Sequence, residues 1–134
     1  MEDIIQFARA LADETRVRII RLVMDEALCV CELADILQMP QSSVSSHIQV
    51  IRKAGLLASE RCEKWIYYRV HTRFMPLLGT MDDFFKLART SVLAADARRA
   101  CARLARRAES CCPGPKTLAE GNKRARRSHE KTAC

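Results

Sequence analysis

At Gly55 the apolar residues of this chain stop recurring every three or four positions and begin to alternate. Before that glycine, Ile4, Phe7, Ala8 and Leu11 fall at i, i+3, i+4 and i+7, predicting a helix buried along one stripe. Val17, Ile20 and Met24 continue the spacing in a second helix, which Asp13 can cap and where Asp13 and Glu14 face the positive end of the dipole. A third helix starts near residue 30 with the stripe Val30, Leu33, Ala34 and Leu37, and Met39-Pro40-Gln41 breaks it. A fourth, over residues 42–54, buries Val44, Ile48 and Ile51 and stops at Gly55. Residues 56–61 and 65–70 then form a predicted hairpin around Cys62-Glu63-Lys64, a turn without the usual glycine. Helical spacing returns with Leu77, Met81, Phe84 and Ala88, then with Ala97, Cys101, Leu104 and Ala108, as one long helix or two short ones. The fold class is therefore mainly α with a small β-hairpin: a helix-turn-helix followed by a wing. The expected organisation is one domain over residues 1–110 and a Cys-containing, basic, disordered tail over 111–134.

Charge gives that architecture a direction. The net charge of +7 divides into −4 over residues 1–40, +4 over 41–73, −1 over 74–97 and +8 over 98–134. An acidic body beside a basic helix and hairpin fits a nucleic-acid face. With Val44, Ile48 and Ile51 turned inward, the fourth helix offers Gln41, Ser43, Ser45, Ser46, His47, Gln49 and Arg52 to base edges and phosphates, and Lys64 stands at the wing turn. No apolar run is long enough to span a bilayer, and the acidic start MEDII lacks the basic region of a signal peptide, so the expected location is the cytoplasm and no membrane partner is expected. The sequence carries no glycine-rich phosphate loop, no C-x-x-C pair and no Ser-His constellation at recognisable spacing, which argues against an enzyme.

Seven cysteines in such a chain point to reduced thiols available for soft ions or redox chemistry rather than to a disulfide scaffold. Cys29 and Cys31 flank Val30. On the third helix they point about 200° apart, so one ion cannot bind both sulfurs on an intact helix and must unwind its start. Cys111 and Cys112, beside a helix stop, are the best candidates for a third thiolate; Cys62 is expected to be exposed in the wing turn, and Cys101 to pack. Asp82 and Asp83 have no histidine between His71 and His129 to complete a zinc site with them. A redox- or sulfur-responsive switch would use the same thiols, whereas a thiol-rich metal buffer would have no need of the helix-turn-helix.

The chain resembles the ArsR/SmtB family of bacterial metal-responsive repressors over roughly residues 3–90. The residues concerned are Leu11-Ala12-Asp13-Glu14-Thr15-Arg16, Leu28-Cys29-Val30-Cys31-Glu32-Leu33, Val44-Ser45-Ser46-His47-Ile48, Ala54-Gly55-Leu56-Leu57 and Trp65-Ile66-Tyr67-Tyr68-Arg69. The resemblance implies a homodimer joined by the first helix and the long helix after the wing, bound to an operator of inverted-repeat form, with no other protein partner. It also implies that Cys29 and Cys31 match the cysteine pair of the arsenic- and antimony-responsive branch, so that As(III) or Sb(III) is the effector and no cofactor is permanently bound. Two positions depart from the family pattern. Ser46 stands where an arginine is frequent, and Ala34 where some arsenical sensors carry a third cysteine.

Overall fold

The computed structural model describes residues 1–110 and 112–118. Its elements run α1 (Glu2–Leu11), α2 (Glu14–Asp25), β1 (Leu28–Cys29), α3 (Val30–Leu37), α4 (Gln41–Lys53), β2 (Leu57–Cys62), β3 (Trp65–Val70), α5 (Met75–Phe85) and α6 (Ser91–Ala105), with single 3-10 turns at Thr72–Phe74, Leu87–Arg89 and Arg107–Glu109. The three strands form an antiparallel sheet in the order β1-β3-β2. Asp13 caps α2 by accepting from the Arg16 amide at 3.0 Å. Gly55, at φ +71°, turns the chain out of α4 in the left-handed region that suits a residue without a Cβ.

The register gives the sheet two distinct faces. Leu28 pairs with Tyr68 and Leu57 with Val70, and these side chains pack with Ile19, Val23, Leu33, Ile36, Val44, Ile48, Ile51 and Leu56 in the main core. Each such buried side chain contributes about 1.5–3 kcal/mol. Cys29 pairs with Tyr67, which also opposes Glu60, while Cys62 opposes Trp65. Alternation puts this second set on the opposite face. There a smaller cluster forms from Ala27, Cys29, Cys62, Tyr67 and Cys112, flanked by Cys31, Trp65 and Leu118.

Several expectations need correction. The apolar stripe of α1 is only half covered within the chain: Phe7 and Leu11 pack against the core and Phe7 stacks on Phe74, whereas Ile4 is 65% exposed and Ala8 is exposed too. The hairpin turn is the pair Glu63-Lys64, and Glu63 itself takes the left-handed conformation (φ 56°) that a glycine would ease. Cys62 ends β2 and is buried, because strand alternation turns it toward Tyr67 rather than to solvent. Of the two arrangements left open after the wing, the chain takes two helices, α5 and α6. α6 is pinned by the buried Asp96, which accepts from Arg18 at 2.8 and 2.9 Å and from Arg99 at 2.6 Å. Arg99 also donates to the Ile36 carbonyl at the end of α3, at 2.6 Å.

The expectation that the chain beyond residue 110 does not pack fails for residues 112–118, which lie as a strap over the second face of the sheet. The Gly114 amide donates to the Tyr67 hydroxyl at 2.8 Å, and Arg69 donates to the Leu118 carbonyl at 2.7 Å. The Glu60 carboxylate receives the amides of Lys116 (2.7 Å) and Thr117 (2.8 Å) together with the Thr117 hydroxyl. A polar segment packs here because its backbone donors and acceptors meet buried or paired side chains. Cys111, Cys134 and the basic residues of 119–134 lie outside the described residues.

Candidate functional site

The second face of the sheet brings three thiols together. The sulfurs of Cys29 and Cys31 are 3.0 Å apart, those of Cys31 and Cys112 2.8 Å, and those of Cys29 and Cys112 3.6 Å. Cys29 is not helical. It closes β1 and stands at the N-cap of α3 with extended backbone (φ −89°, ψ 169°). The opposed geometry expected of two helical residues does not apply, so both sulfurs converge with α3 intact and no unwinding is required. Cys112 reaches them on the strap. Cys29 and Cys112 are buried, and Cys31 is half-buried.

Charged side chains border this cluster on two sides. Glu32, fully buried, accepts from the Cys29 amide at 3.0 Å and forms a two-point pair with Arg107 at 2.7 and 3.0 Å. Arg107 also donates to the Ala27 carbonyl at 2.8 Å and lies over the Tyr67 ring, 5.6 Å from its centre. Gly114 approaches the Arg107 side chain so closely that a Cβ would sit 3.2 Å from its Cδ. Arg103, 7% exposed, pairs with Asp35 at 2.9 Å and points Nη2 at the Cys112 sulfur, 3.8 Å away. Burial pushes the Cys29 thiol well above its ordinary pKa, the contact with Cys31 adds to this, and the Tyr67 phenol is pushed up to about 12, again mainly by burial. The donor set consists of three soft sulfurs, which suits a thiophilic ion or metalloid.

Glu32, Glu60, Tyr67, Arg103 and Arg107 escape a reading of the sequence. Their signal is long-range, as with the 75 positions between Glu32 and Arg107. The positive charge of 98–107 also takes on another meaning, since Arg99, Arg103 and Arg107 are engaged in ion pairs within the chain.

The helix-turn-helix is α3 and α4. Along α4, Gln41, Ser46, Gln49 and Arg52 are exposed, whereas Ser43, Ser45 and His47 are half-buried. Ser45 and His47 are therefore not on the most open side of the helix. His47 Nδ1 lies 3.8 Å from Asp13 Oδ1, toward the start of α2. Ser42, Lys53 and Arg61 are exposed on the same elements and extend the candidate DNA face. Ser46 Oγ donates to the Ser42 carbonyl at 3.1 Å. Lys64 is exposed at the wing tip, its ammonium 4.9 Å from the centre of the Trp65 ring. Among the described residues, no helix is long and apolar enough to cross a membrane.

Helix-turn-helix and wing together define a winged-helix fold, and three clustered thiols lie at the start of its third helix. The chain belongs to the arsR family of bacterial regulatory proteins, a family of regulators and not of enzymes, whose pattern matches residues 13–59. It is 31% identical over 77 residues to an uncharacterized HTH-type transcriptional regulator of Methanocaldococcus jannaschii, covering 56% of this chain and 86% of that one. It is 44% identical over 64 residues to an arsenic resistance transcriptional regulator of Pseudomonas putida, covering 47% of this chain and 50% of the relative, so it spans about half the length of that protein. In three dimensions it is similar to the homodimeric winged helix-turn-helix DNA-binding domain of a possible ArsR-family regulator from Mycobacterium bovis. That likeness has a TM-score of 0.58 at 20% identity, covers 67% of this chain and 83% of the other, and bears on the fold alone.

Proposed function

We propose that this protein is a cytoplasmic transcriptional repressor that binds an inverted-repeat operator as a homodimer and releases it when As(III) or Sb(III) is captured by Cys29, Cys31 and Cys112. The observation that carries this reading is the convergence of three thiols within 4.8 Å of one another, at the start of the helix that supports the recognition helix. The name of the Pseudomonas putida relative, an arsenic resistance regulator, points to the same effector class. Trivalent arsenic favours three sulfurs, and a soft donor set with no oxygen ligand fits it. Cys29 and Cys31 flank the first turn of α3, which packs on α4, so ligand binding and operator geometry share one element. A coupling of about 1–3 kcal/mol would weaken operator binding roughly 5- to 150-fold.

The test is an operator-binding titration under reducing conditions with arsenite, antimonite, zinc, cadmium and peroxide as separate additions. The Cys29→Ser, Cys31→Ser protein should bind operator normally and fail to release it with arsenite. Retained release in that variant overturns the assignment. X-ray absorption on the arsenite complex, without added thiol, should show three sulfur neighbours, falling toward two in Cys112→Ser. A redox- or sulfur-responsive repressor is the second reading, favoured by the 2.8 Å approach of the half-buried Cys31 to Cys112. Release by peroxide but not by arsenite would select it.

A further inference from the structure

Arg103 is the buried group beside the thiols that the metalloid reading does not use. Its side chain is 9% exposed, Nε is paired with Asp35, and Nη2 lies 3.8 Å from the Cys112 sulfur. Nη1 is buried and has no hydrogen-bond partner among the described residues. A buried guanidinium hydrogen left unmatched is uncommon and calls for an explanation. Asp35, whose side chain is 63% exposed, is screened by solvent and offsets the guanidinium only in part. Glu32 and Arg107 form a two-point pair and offset one another, with Glu26 also acting on Arg107, and Arg106 and Glu109 share the recess of Arg103 and Asp35. The charged group next to the Cys112 sulfur is therefore a guanidinium whose own carboxylate partner is largely in solvent, and it stays protonated at any accessible pH.

A cation in that position treats ligands of different charge differently. Three thiolates around a trivalent centre form a neutral complex, which gains little from a nearby cation. Three thiolates around a divalent ion leave one negative charge in a poorly solvated place, where a cation a few ångströms away is strongly stabilising. We propose that Arg103 sets the ionic charge this site accepts, compensating the negative charge left by a divalent ion on three thiolates and so extending the site from trivalent metalloids to thiophilic divalent cations. The inference rests on the thiol site of the proposed function. It adds a specificity-determining residue on α6, an element that supplies no ligand. Arg103 acts through its charge and the open N–H groups of its guanidinium, not by touching the ion.

The experiment measures affinity for cadmium ion and for arsenite in the full-length protein, each by competition with dithiothreitol, cadmium being read at the thiolate-to-metal absorption in the ultraviolet. Arg103→Met, which keeps the bulk and removes the charge, should weaken cadmium binding by about 10- to 100-fold while arsenite binding changes less than about threefold. Arg103→Lys should recover a large part of the cadmium affinity. A purely structural role in holding α6 to Asp35 would lower both affinities together, and that result overturns the proposal, as does undiminished cadmium binding in Arg103→Met. Should Arg103→Met fail to fold, Asp35→Asn decides. Removing the partially offsetting carboxylate should tighten cadmium a few-fold with arsenite unchanged, and an unaltered ratio refutes the inference. The Cys29→Ser, Cys31→Ser protein separates the two claims. If it binds both probes as the parent does, the thiol-site reading itself fails and the role of Arg103 falls with it.

Discussion

Cys29 shows how one residue joins local geometry to ligand chemistry. Placed at the N-cap of α3, with its amide on the buried Glu32, it holds its sulfur between a strand and a helix. Burial disfavours the thiolate, so in the ligand-free protein this thiol keeps its proton through neutral pH. Ligand binding must remove that proton, and the two ligand classes do so differently. Arsenite brings its own hydroxyls, which leave as water with the thiol protons, so no free proton is released. A divalent cation displaces protons into solvent. Cadmium affinity should therefore rise as pH increases from 6 to 8, by about tenfold per unit for each proton released, while arsenite affinity stays nearly flat. Isothermal titration in buffers of different ionisation enthalpy counts the protons directly. Equal proton release for both ligands would contradict this account of Cys29.

At the scale of elements, the strap of residues 112–118 decides whether the third sulfur is in place. It has no secondary structure of its own and is held by side chains of β2 and β3. Glu60 does much of this, accepting from Thr117 twice and from Lys116. The Thr117 hydroxyl, together with the strap amides, holds the Glu60 carboxyl below its ordinary pKa. A carboxyl lowered in the folded state stabilises that state above its unfolded pKa, and the contribution is lost as pH falls through the folded value. Acid should release the strap before the body of the protein unfolds. Glu60→Gln should do the same at neutral pH, raising amide exchange at 116 and 117 and weakening arsenite several-fold by leaving Cys112 to be ordered on binding. Unchanged exchange at those amides would show that Glu60 does not hold the strap. The sequence made α2, α3, α4 and the hairpin legible because each carries a clear apolar period. β1 is too short for a period, so Cys29 reads as helical, and the conclusion that α3 must unwind follows from that misplacement. The strap is invisible for another reason: its order comes from Tyr67, Arg69 and Glu60, which are distant in sequence and ordinary in composition.

For the whole molecule, the question is what covers the apolar surface that one chain leaves bare. Ile4 (65% exposed), Ile5 (40%), Leu77 (48%), Phe84 (77%) and Phe85 (61%) project from α1 and α5, and the family resemblance implies that the first helix and the long helix after the wing join two copies. On α1, Phe7 and Leu11 pack on the core while Ile4 and Ile5 stay bare, and that remaining exposure fits burial against a second copy. A two-fold dimer would present two copies of α4 symmetrically, matching half-sites about one helical turn apart. Phe84→Glu, a charge placed on this surface and away from both the thiols and α4, should shift the protein toward monomer in sedimentation at micromolar concentration. Operator affinity should fall with it, because each half then binds alone, while arsenite affinity stays within a few-fold since all three sulfurs belong to one chain. The parent protein should lose operator affinity steeply with added salt through Arg52, Lys53 and Lys64. A Phe84→Glu protein that remains dimeric would move the interface off α5, and loss of arsenite binding on dissociation would mean that the ligand site needs the second subunit.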